Sequence, residues 1–402
     1  MRILRDAYFV AIALNHLAVD LLNSQKEILL VFVAPSLGLS NADIGLVVLI
    51  YAVVGSFSQP IFGLLADRFR VHWLSGGSLL WMAFWFSVAL FIQGRLAVVP
   101  LIVGALGSGA FHSAGTERAT SRGEKLMLGQ AATAASLFFL FGQGALAVGP
   151  VLGGVLLQGF GTSGLLVLMV FSVPVGINSV YRLFWSSRIA STGIKSEAKK
   201  IRVLPAGFQR GKWVLVALAL MVLLRTVPQV TMITFLPKLF HDRGYSPAAY
   251  GFVSSLFMVG YAMGGVSGGF LADRWGRRRT IFWSLIAAVV PMYYCPIVSG
   301  TALYPVVFLA GLFNGAAHAV IVVLAQMLLP HRRALASGLT LGFMYASGAF
   351  GSYLFGLAAD VYPLALVLQT NSILILMAAL VLIVTLRRDT GSGGVPASAV
   401  GW

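Results

Sequence analysis

Two stretches decide the fold: SNADIGLVVLIYAVVGSFSQPIFGLLADRFR (Ser40–Arg70) and SPAAYGFVSSLFMVGYAMGGVSGGFLADRWGR (Ser246–Arg277). Each holds an apolar run of about 20 residues, the length a helix needs to cross a bilayer, and each closes on a polar, basic loop. Ser40, Gly45, Gly63, Ala66, Asp67 and Arg68 recur 206 positions later as Ser246, Gly251, Gly269, Ala272, Asp273 and Arg274. Equal offsets across a whole helix and the loop after it mark an internal duplication.

The rest of the chain agrees. Of its 402 residues, 58% are hydrophobic and only 10% charged, with a mean hydropathy of +0.90. Soluble globules carry about a quarter charged residues, so the composition describes a polytopic membrane protein. Long unbroken apolar runs, rather than alternation, exclude a β-barrel. Twelve spans are expected, near 7–33, 42–64, 73–93, 97–118, 127–158, 163–186, 212–237, 248–271, 280–299, 302–328, 335–359 and 363–386. The N-terminus has the basic flank of a signal peptide, but its core is long and studded with polar residues, so it reads as a retained first helix.

The net charge of +16 does not point to nucleic acid, and no nucleic-acid partner is expected, because the basic residues sit between apolar runs. Arg2, Arg5, Arg68, Arg70, Arg118, Arg122, Lys125, the run Arg182–Lys212, Arg274, Arg277–Arg279, Arg332, Arg333, Arg387 and Arg388 fall on one side, against Arg95, Lys238 and Arg243 on the other. That asymmetry places both termini and the 187–211 loop on the cytoplasmic side of an inner membrane. The expected organisation is a six-helix half (1–186), a cytoplasmic linker (187–211), a second six-helix half (212–388) and a flexible tail (389–402).

Charged residues inside spans are costly, roughly 2.5–3.5 kcal/mol each on insertion scales, and so mark function. In NHLAVDLLNSQKEI (Asn15–Ile28), His16, Asp20, Asn23 and Glu27 step by four, three and four and share one helix face. Asp20 is the candidate proton carrier, with His16 one turn away as relay or hydrogen-bond partner; a static lock between helices is the competing reading. Lys26 lies off that face and is expected to snorkel to the outer interface. Arg225, near the middle of helix seven, needs an anionic partner or an anionic ligand. Asp20 and Glu27 are its natural internal partners, and a structural salt bridge weighs about as much as a substrate site. Asn314 and His318 sit one turn apart in helix ten, as cavity lining or as a helix-to-helix hydrogen bond.

The loop motifs GLLADRFR (Gly63–Arg70) and GFLADRWGRRR (Gly269–Arg279) resemble the G-x-L-A-D-R-x-G-R-K/R motif of the major facilitator superfamily, although Arg70 stands where the motif has glycine. Within it, the chain resembles the fosmidomycin-resistance-type branch. The stretches that carry the likeness are His16 and Asp20 as H-x-x-x-D, GALGSGAFHSAGTERA in helix four, GQGALAVGPVLGG in helix five and AQMLLP (Ala325–Pro330). Ser113 replaces an expected proline, and about one extra helical turn lies between Asp20 and Pro35. The GPVLGG run (Gly149–Gly154) is also similar to the fifth-helix motif of proton-driven drug antiporters, with Ala145 in place of a glycine.

The resemblance implies two parallel halves around a central pathway and an alternating-access transporter. It implies gating at Asp67, Arg68, Asp273, Arg274, Gly149 and Pro150 and a pathway role for His112, while the charged and polar residues inside the spans themselves suggest proton coupling at Asp20 and His16 and substrate binding among Arg225, Glu27, Asn314 and His318. The expected activity is proton-coupled export of small compounds or drugs, anionic ones among them. Uptake by symport or uniport is the alternative, and a non-transporting membrane sensor the weaker third. No G-x-x-x-x-G-K-[ST] run is present, so ATP-driven pumping is unsupported. Six histidines and one cysteine, Cys295, without ligand spacing along the chain predict no metal. No cofactor and no enzymatic activity are expected. The expected partners are a small-molecule substrate, protons and the lipid bilayer, with the chain a monomer.

Overall fold

The computed structural model describes residues 2–69, 74–126, 131–190, 212–318, 320–322 and 333–389, with some side chains inside those ranges left out. Every regular element among them is a helix. In chain order they are α1 (Ala7–Asn23), α2 (Gln25–Leu37), α3 (Asn41–Phe69), α4 (Leu74–Phe91), α5 (Val98–Leu126), α6 (Ala131–Phe160) and α7 (Val167–Ala190). There follow α8 (Lys212–Asp242), α9 (Pro247–Trp275), α10 (Arg277–Tyr294), α11 (Leu303–Ala316), α12 (Arg333–Ala359), α13 (Leu364–Gln369) and α14 (Asn371–Asp389). In lipid every backbone polar group must be satisfied internally, which these sequences achieve as helices.

Nine helices among the described residues are long and apolar enough to cross a membrane. Of the twelve expected spans, those near 7–33, 280–299 and 335–359 are not among the nine, and the first of these is not one helix but α1 and α2, interrupted at Ser24. The Ser24 hydroxyl and the Gln25 amide both donate to the carbonyl of Leu21, at 2.7 and 2.8 Å. Side chains thus take a carbonyl of the helix ladder, a recognised cause of local bending. The break falls inside the charged stretch, where the sequence carries its extra turn.

The described residues pack as two units. One comprises those of Met1–Leu39, Leu46–Ala198 and Gly244–Ser255; the other those of Ser40–Gly45, Lys199–Arg243 and Leu256–Trp402. In the first, α1 lies against α6 and α7, and α4 against α5 and α7; in the second, α8 lies against α12 and α14, and α10 against α11 and α14. The two schemes match element for element, as a duplication requires.

The match reaches single atoms. A Cβ added at Gly109 would stand 2.5 Å from the carbonyl oxygen of Gly55, and one added at Gly315 would stand 2.1 Å from that of Tyr261. Both the glycines and the carbonyls they meet are 206 positions apart. Helix backbones in membranes approach closely where small residues allow it, and each repeat uses the same glycine for the same approach. Around these seams large apolar side chains such as Phe57, Phe84, Val170, Val266 and Phe270 are exposed, a surface suited to lipid rather than water.

The 191–211 part of the expected linker, the AQMLLP stretch and residues 390–402 of the tail lie outside the described residues.

Candidate functional site

The first unit gathers its polar residues where α1, α5 and α6 meet. Asp20 is buried on α1. One turn earlier, His16 sets its Nε2 3.2 Å from Asp20 Oδ2. His112, on α5, sets its Nε2 3.4 Å from Asp20 Oδ1. Asn23 donates from Nδ2 to the same Oδ1 at 3.0 Å and to the Ser108 hydroxyl at 3.0 Å, while its Oδ1 accepts from the Tyr51 hydroxyl at 2.7 Å. The helical spacing of His16, Asp20 and Asn23 therefore does what the sequence predicts: it builds one polar stripe.

The tautomers of the two histidines follow from their other contacts. His16 Nδ1 lies 2.8 Å from the carbonyl oxygen of Phe138, and His112 Nδ1 lies 2.8 Å from that of Ser108. A carbonyl oxygen only accepts, so in both rings Nδ1 carries a proton. A neutral ring would then present the bare lone pair of Nε2 to Asp20. Each contact becomes attractive when a proton or another cation sits between nitrogen and carboxylate. The cluster is thus built to take up positive charge at two identified atoms. Apolar packing encloses it: the His16 ring stacks on Phe138, centroids 4.0 Å apart and planes at 19°. Gly142 of α6 makes room, since a Cβ there would stand 2.5 Å from His16 Nε2 and 2.6 Å from Asp20 Oδ2.

Glu27 belongs to a neighbouring pair. Its Oε1 is 2.6 Å from Lys26 Nζ, and that ammonium lies 4.6 Å from the centroid of the Tyr51 ring. Lys26 is buried and does not snorkel as expected. With a carboxylate beside it and an aromatic face over it, its charge is compensated within the protein.

Arg225 anchors the second unit. It is fully buried on α8, and its partners differ from those the sequence suggests. Nη1 donates to Gln229 Oε1 at 2.9 Å and faces His318 Nδ1 at 3.4 Å. Nη2 donates to the Asn314 carbonyl at 2.7 Å, to Asn314 Oδ1 at 3.3 Å and to the Tyr261 hydroxyl at 3.2 Å. Among the described residues no carboxylate pairs with it, and Nε has no acceptor. Asp20 and Glu27 are met within their own unit, Asp20 by the two imidazoles and Glu27 by Lys26. A guanidinium only donates, so His318 Nδ1 is the acceptor in that pair. Gln229 escaped notice in the sequence, although it sits one turn from Arg225, a helical neighbour.

The expected gating residues divide. The side chains of Asp67, Arg68 and Asp273 lie outside the described residues, and Arg274 is exposed at the end of α9. Gly149 and Pro150 are buried in α6 at the break in the first span. The Gly149 carbonyl accepts from Gln25 Nε2 at 3.1 Å, and a Cβ on Gly149 would collide with the Ser24 hydroxyl at 1.8 Å. Elsewhere in the first unit, a cleft of about 360 Å³ is bordered by Leu29, Leu30, Val33 and Leu101 and has no charged residue in its wall.

A sequence model of the Major Facilitator Superfamily matches residues 8–239 and 214–401. The chain is 27% identical over 383 residues to the fosmidomycin resistance protein of Escherichia coli (strain K12), covering 92% of this chain and 90% of that protein. It is 25% identical over 363 residues to an uncharacterized MFS-type transporter, YfnC, of Bacillus subtilis (strain 168), covering 87% and 86%. Its fold is similar to that of a bacterial homologue of the human lysosomal transporter Spinster in an inward-facing and occupied conformation. There the TM-score is 0.78 at 12% identity, over 97% of this chain and 98% of that one.

Proposed function

We propose that this chain, which belongs to the Major Facilitator Superfamily, is a proton-coupled exporter of small anionic compounds. That it is a multi-pass membrane transporter, and not an enzyme, is the family's own property; the proton, the direction and the anion are the proposal. One observation carries it: the first unit concentrates groups that take up positive charge, His16, Asp20 and His112, while the second holds a buried cation with no carboxylate beside it among the described residues, Arg225.

The division of labour follows from the charges. Asp20, flanked by two imidazole nitrogens, is the proton-coupling residue, and His16 and His112 are the atoms through which a proton is passed or held. Arg225, framed by Gln229, Tyr261, Asn314 and His318, receives the anionic group of the substrate. A planar guanidinium suits a carboxylate, phosphate or phosphonate through two parallel hydrogen bonds. Glu27, held by Lys26, completes the polar lining rather than pairing with Arg225. Export is favoured by the likeness to a protein named for fosmidomycin resistance.

Transport proceeds by alternating access, with residues 1–186 moving against 212–388, joined by the 187–211 segment and with both termini on the cytoplasmic side of an inner membrane. Asp67, Arg68, Asp273 and Arg274 act in the gating loops, and Gly149 and Pro150 at the break beneath Ser24. A monomer suffices, since the two repeats supply both sites.

The test is flux. Purified protein in liposomes is given an imposed pH gradient and radiolabelled fosmidomycin as the anionic probe. Gradient-driven accumulation that collapses with a protonophore supports the reading, and accumulation indifferent to the gradient refutes coupling.

A further inference from the structure

We propose that His16, Asp20 and His112 form a binding site for a divalent late first-row transition-metal ion of the zinc or cobalt class. The inference uses the residues of the proton reading but does not depend on that reading.

The donor set is convergent. One nitrogen from each histidine and one oxygen of Asp20 lie within 4.8 Å of one another. A zinc-class ion holds imidazole nitrogen and carboxylate oxygen at about 2.0–2.2 Å, so neighbouring ligand atoms around a tetrahedral ion stand roughly 3.4 Å apart. Each histidine already stands near that distance from the carboxylate, His16 Nε2 3.2 Å from Oδ2 and His112 Nε2 3.4 Å from Oδ1, so the two nitrogens address its two oxygens. To share one ion the two imidazoles have to draw together about the carboxylate. The His112 side chain is 26% exposed, against 2% for His16, so His112 is the less enclosed of the two ligands.

Each ligand is also presented in the form a metal requires. The Phe138 and Ser108 carbonyls hold the Nδ1 protons of the two rings, which leaves both Nε2 lone pairs free and aimed at the carboxylate. Such backbone contacts fix ring orientation in metal sites. Asn23 steadies the carboxylate through Oδ1. Two lone pairs facing one carboxylate are repulsive without a cation between them, and one divalent ion satisfies all three groups at once. Three protein ligands leave a further position open on the more exposed His112 side.

Ligand chemistry sets the class. Two imidazoles with one carboxylate suit zinc, cobalt, nickel, copper or ferrous iron, whereas magnesium and calcium prefer oxygen-only shells. The sequence expectation of no metal weighed spacing along the chain. His16 and Asp20 alone are two ligands, and the third arrives from α5, out of reach of any local pattern.

The experiment uses untagged full-length protein in detergent, stripped with chelator and titrated with Co²⁺, with binding followed by visible d–d absorption. One Co²⁺ per chain is expected, displaced stoichiometrically by Zn²⁺ and not by Mg²⁺ or Ca²⁺. His112→Gln and Asp20→Asn should each weaken binding at least ten-fold. His241→Gln, which changes the outer-end histidine beside Asp242, should leave it unchanged. X-ray absorption on the Zn²⁺-loaded native chain needs no variant and should count two imidazole ligands. Absence of stoichiometric Co²⁺ binding, fewer than two imidazoles, or binding undiminished by the first two substitutions overturns the proposal. Since these are binding measurements, they leave proton coupling to be decided by flux alone.

Discussion

His112 and His318 occupy the same place in the two repeats, 206 positions apart, yet they face opposite charges. His112 presents Nε2 to the carboxylate of Asp20 at 3.4 Å, and His318 presents Nδ1 to the guanidinium of Arg225 at 3.4 Å. Duplication supplied the same imidazole twice, and the first and seventh spans then gave it different neighbours. One ring sits where added positive charge is welcome, the other where it is excluded. The residues one turn before them, Ser108 and Asn314, are likewise repeat equivalents and likewise join the two networks.

Removing the carboxylate should uncouple transport. Asp20→Asn is expected to lower gradient-driven accumulation of an anionic substrate at least ten-fold while leaving its equilibrium binding within about two-fold, because a neutral amide has no charge with which to hold added protons on the two imidazoles. Flux in proteoliposomes, set beside binding by scintillation proximity, checks the pair of outcomes.

Arg225→Gln should act on the other side of the cycle. Charge-assisted hydrogen bonds contribute about 1.5–3 kcal/mol, so anion binding is expected to weaken by roughly ten-fold to a hundred-fold. Arg225→Lys should recover only part of that loss, since an ammonium keeps the charge but not the fork. Isothermal titration with the anionic probe measures both.

The repeat-related glycines should be equally intolerant of a methyl group. Gly109→Ala and Gly315→Ala each drive a Cβ onto a helix carbonyl, at 2.5 and 2.1 Å, and overpacking of this kind costs about 1–3 kcal/mol. Gly144, with nothing within 4 Å of its added Cβ, is the control, and Gly144→Ala should be neutral. Thermal unfolding in detergent separates the three.

Stability should also carry an acid limb from the start of α1. Asp6 caps that helix through Phe9, its Oδ1 accepting the backbone N–H at 2.9 Å, and Arg122 grips both its oxygens at 2.9 and 2.6 Å. Burial works against the Asp6 charge, but the Arg122 and backbone hydrogen bonds outweigh it and hold the carboxyl below the usual aspartate range; the Asp6 hydrogen bond likewise raises Arg122. A carboxylate depressed on folding contributes stability that is present above its unfolded value, about 3.9, and lost as pH falls through the folded one. Asp6→Ala should therefore lower stability at neutral pH by about 1 kcal/mol, mainly as a lost cap, the pair itself being discounted for the partial exposure of Arg122. The difference from the native chain should shrink below about pH 4. Melting curves across pH 3–7 (roughly one unit either side of the ordinary range) read both.

What the sequence determined by itself was whatever depends on composition and local order. Apolar run length located the membrane spans, though not the break at Ser24, the 206-residue offset marked the duplication, and helical spacing put His16, Asp20 and Asn23 on one stripe. Three things were decided only by the tertiary structure. The partners of Arg225 are neutral groups, Gln229, Tyr261, Asn314 and His318, rather than Asp20 or Glu27. Lys26 is folded inward onto Glu27 and Tyr51 instead of reaching for the interface. His112 joins Asp20 from a helix more than ninety residues away. The reason is common to all three. A buried charge takes whichever compensating group packing brings to it, and periodicity reports which face of a helix a residue is on but not which helix that face will meet.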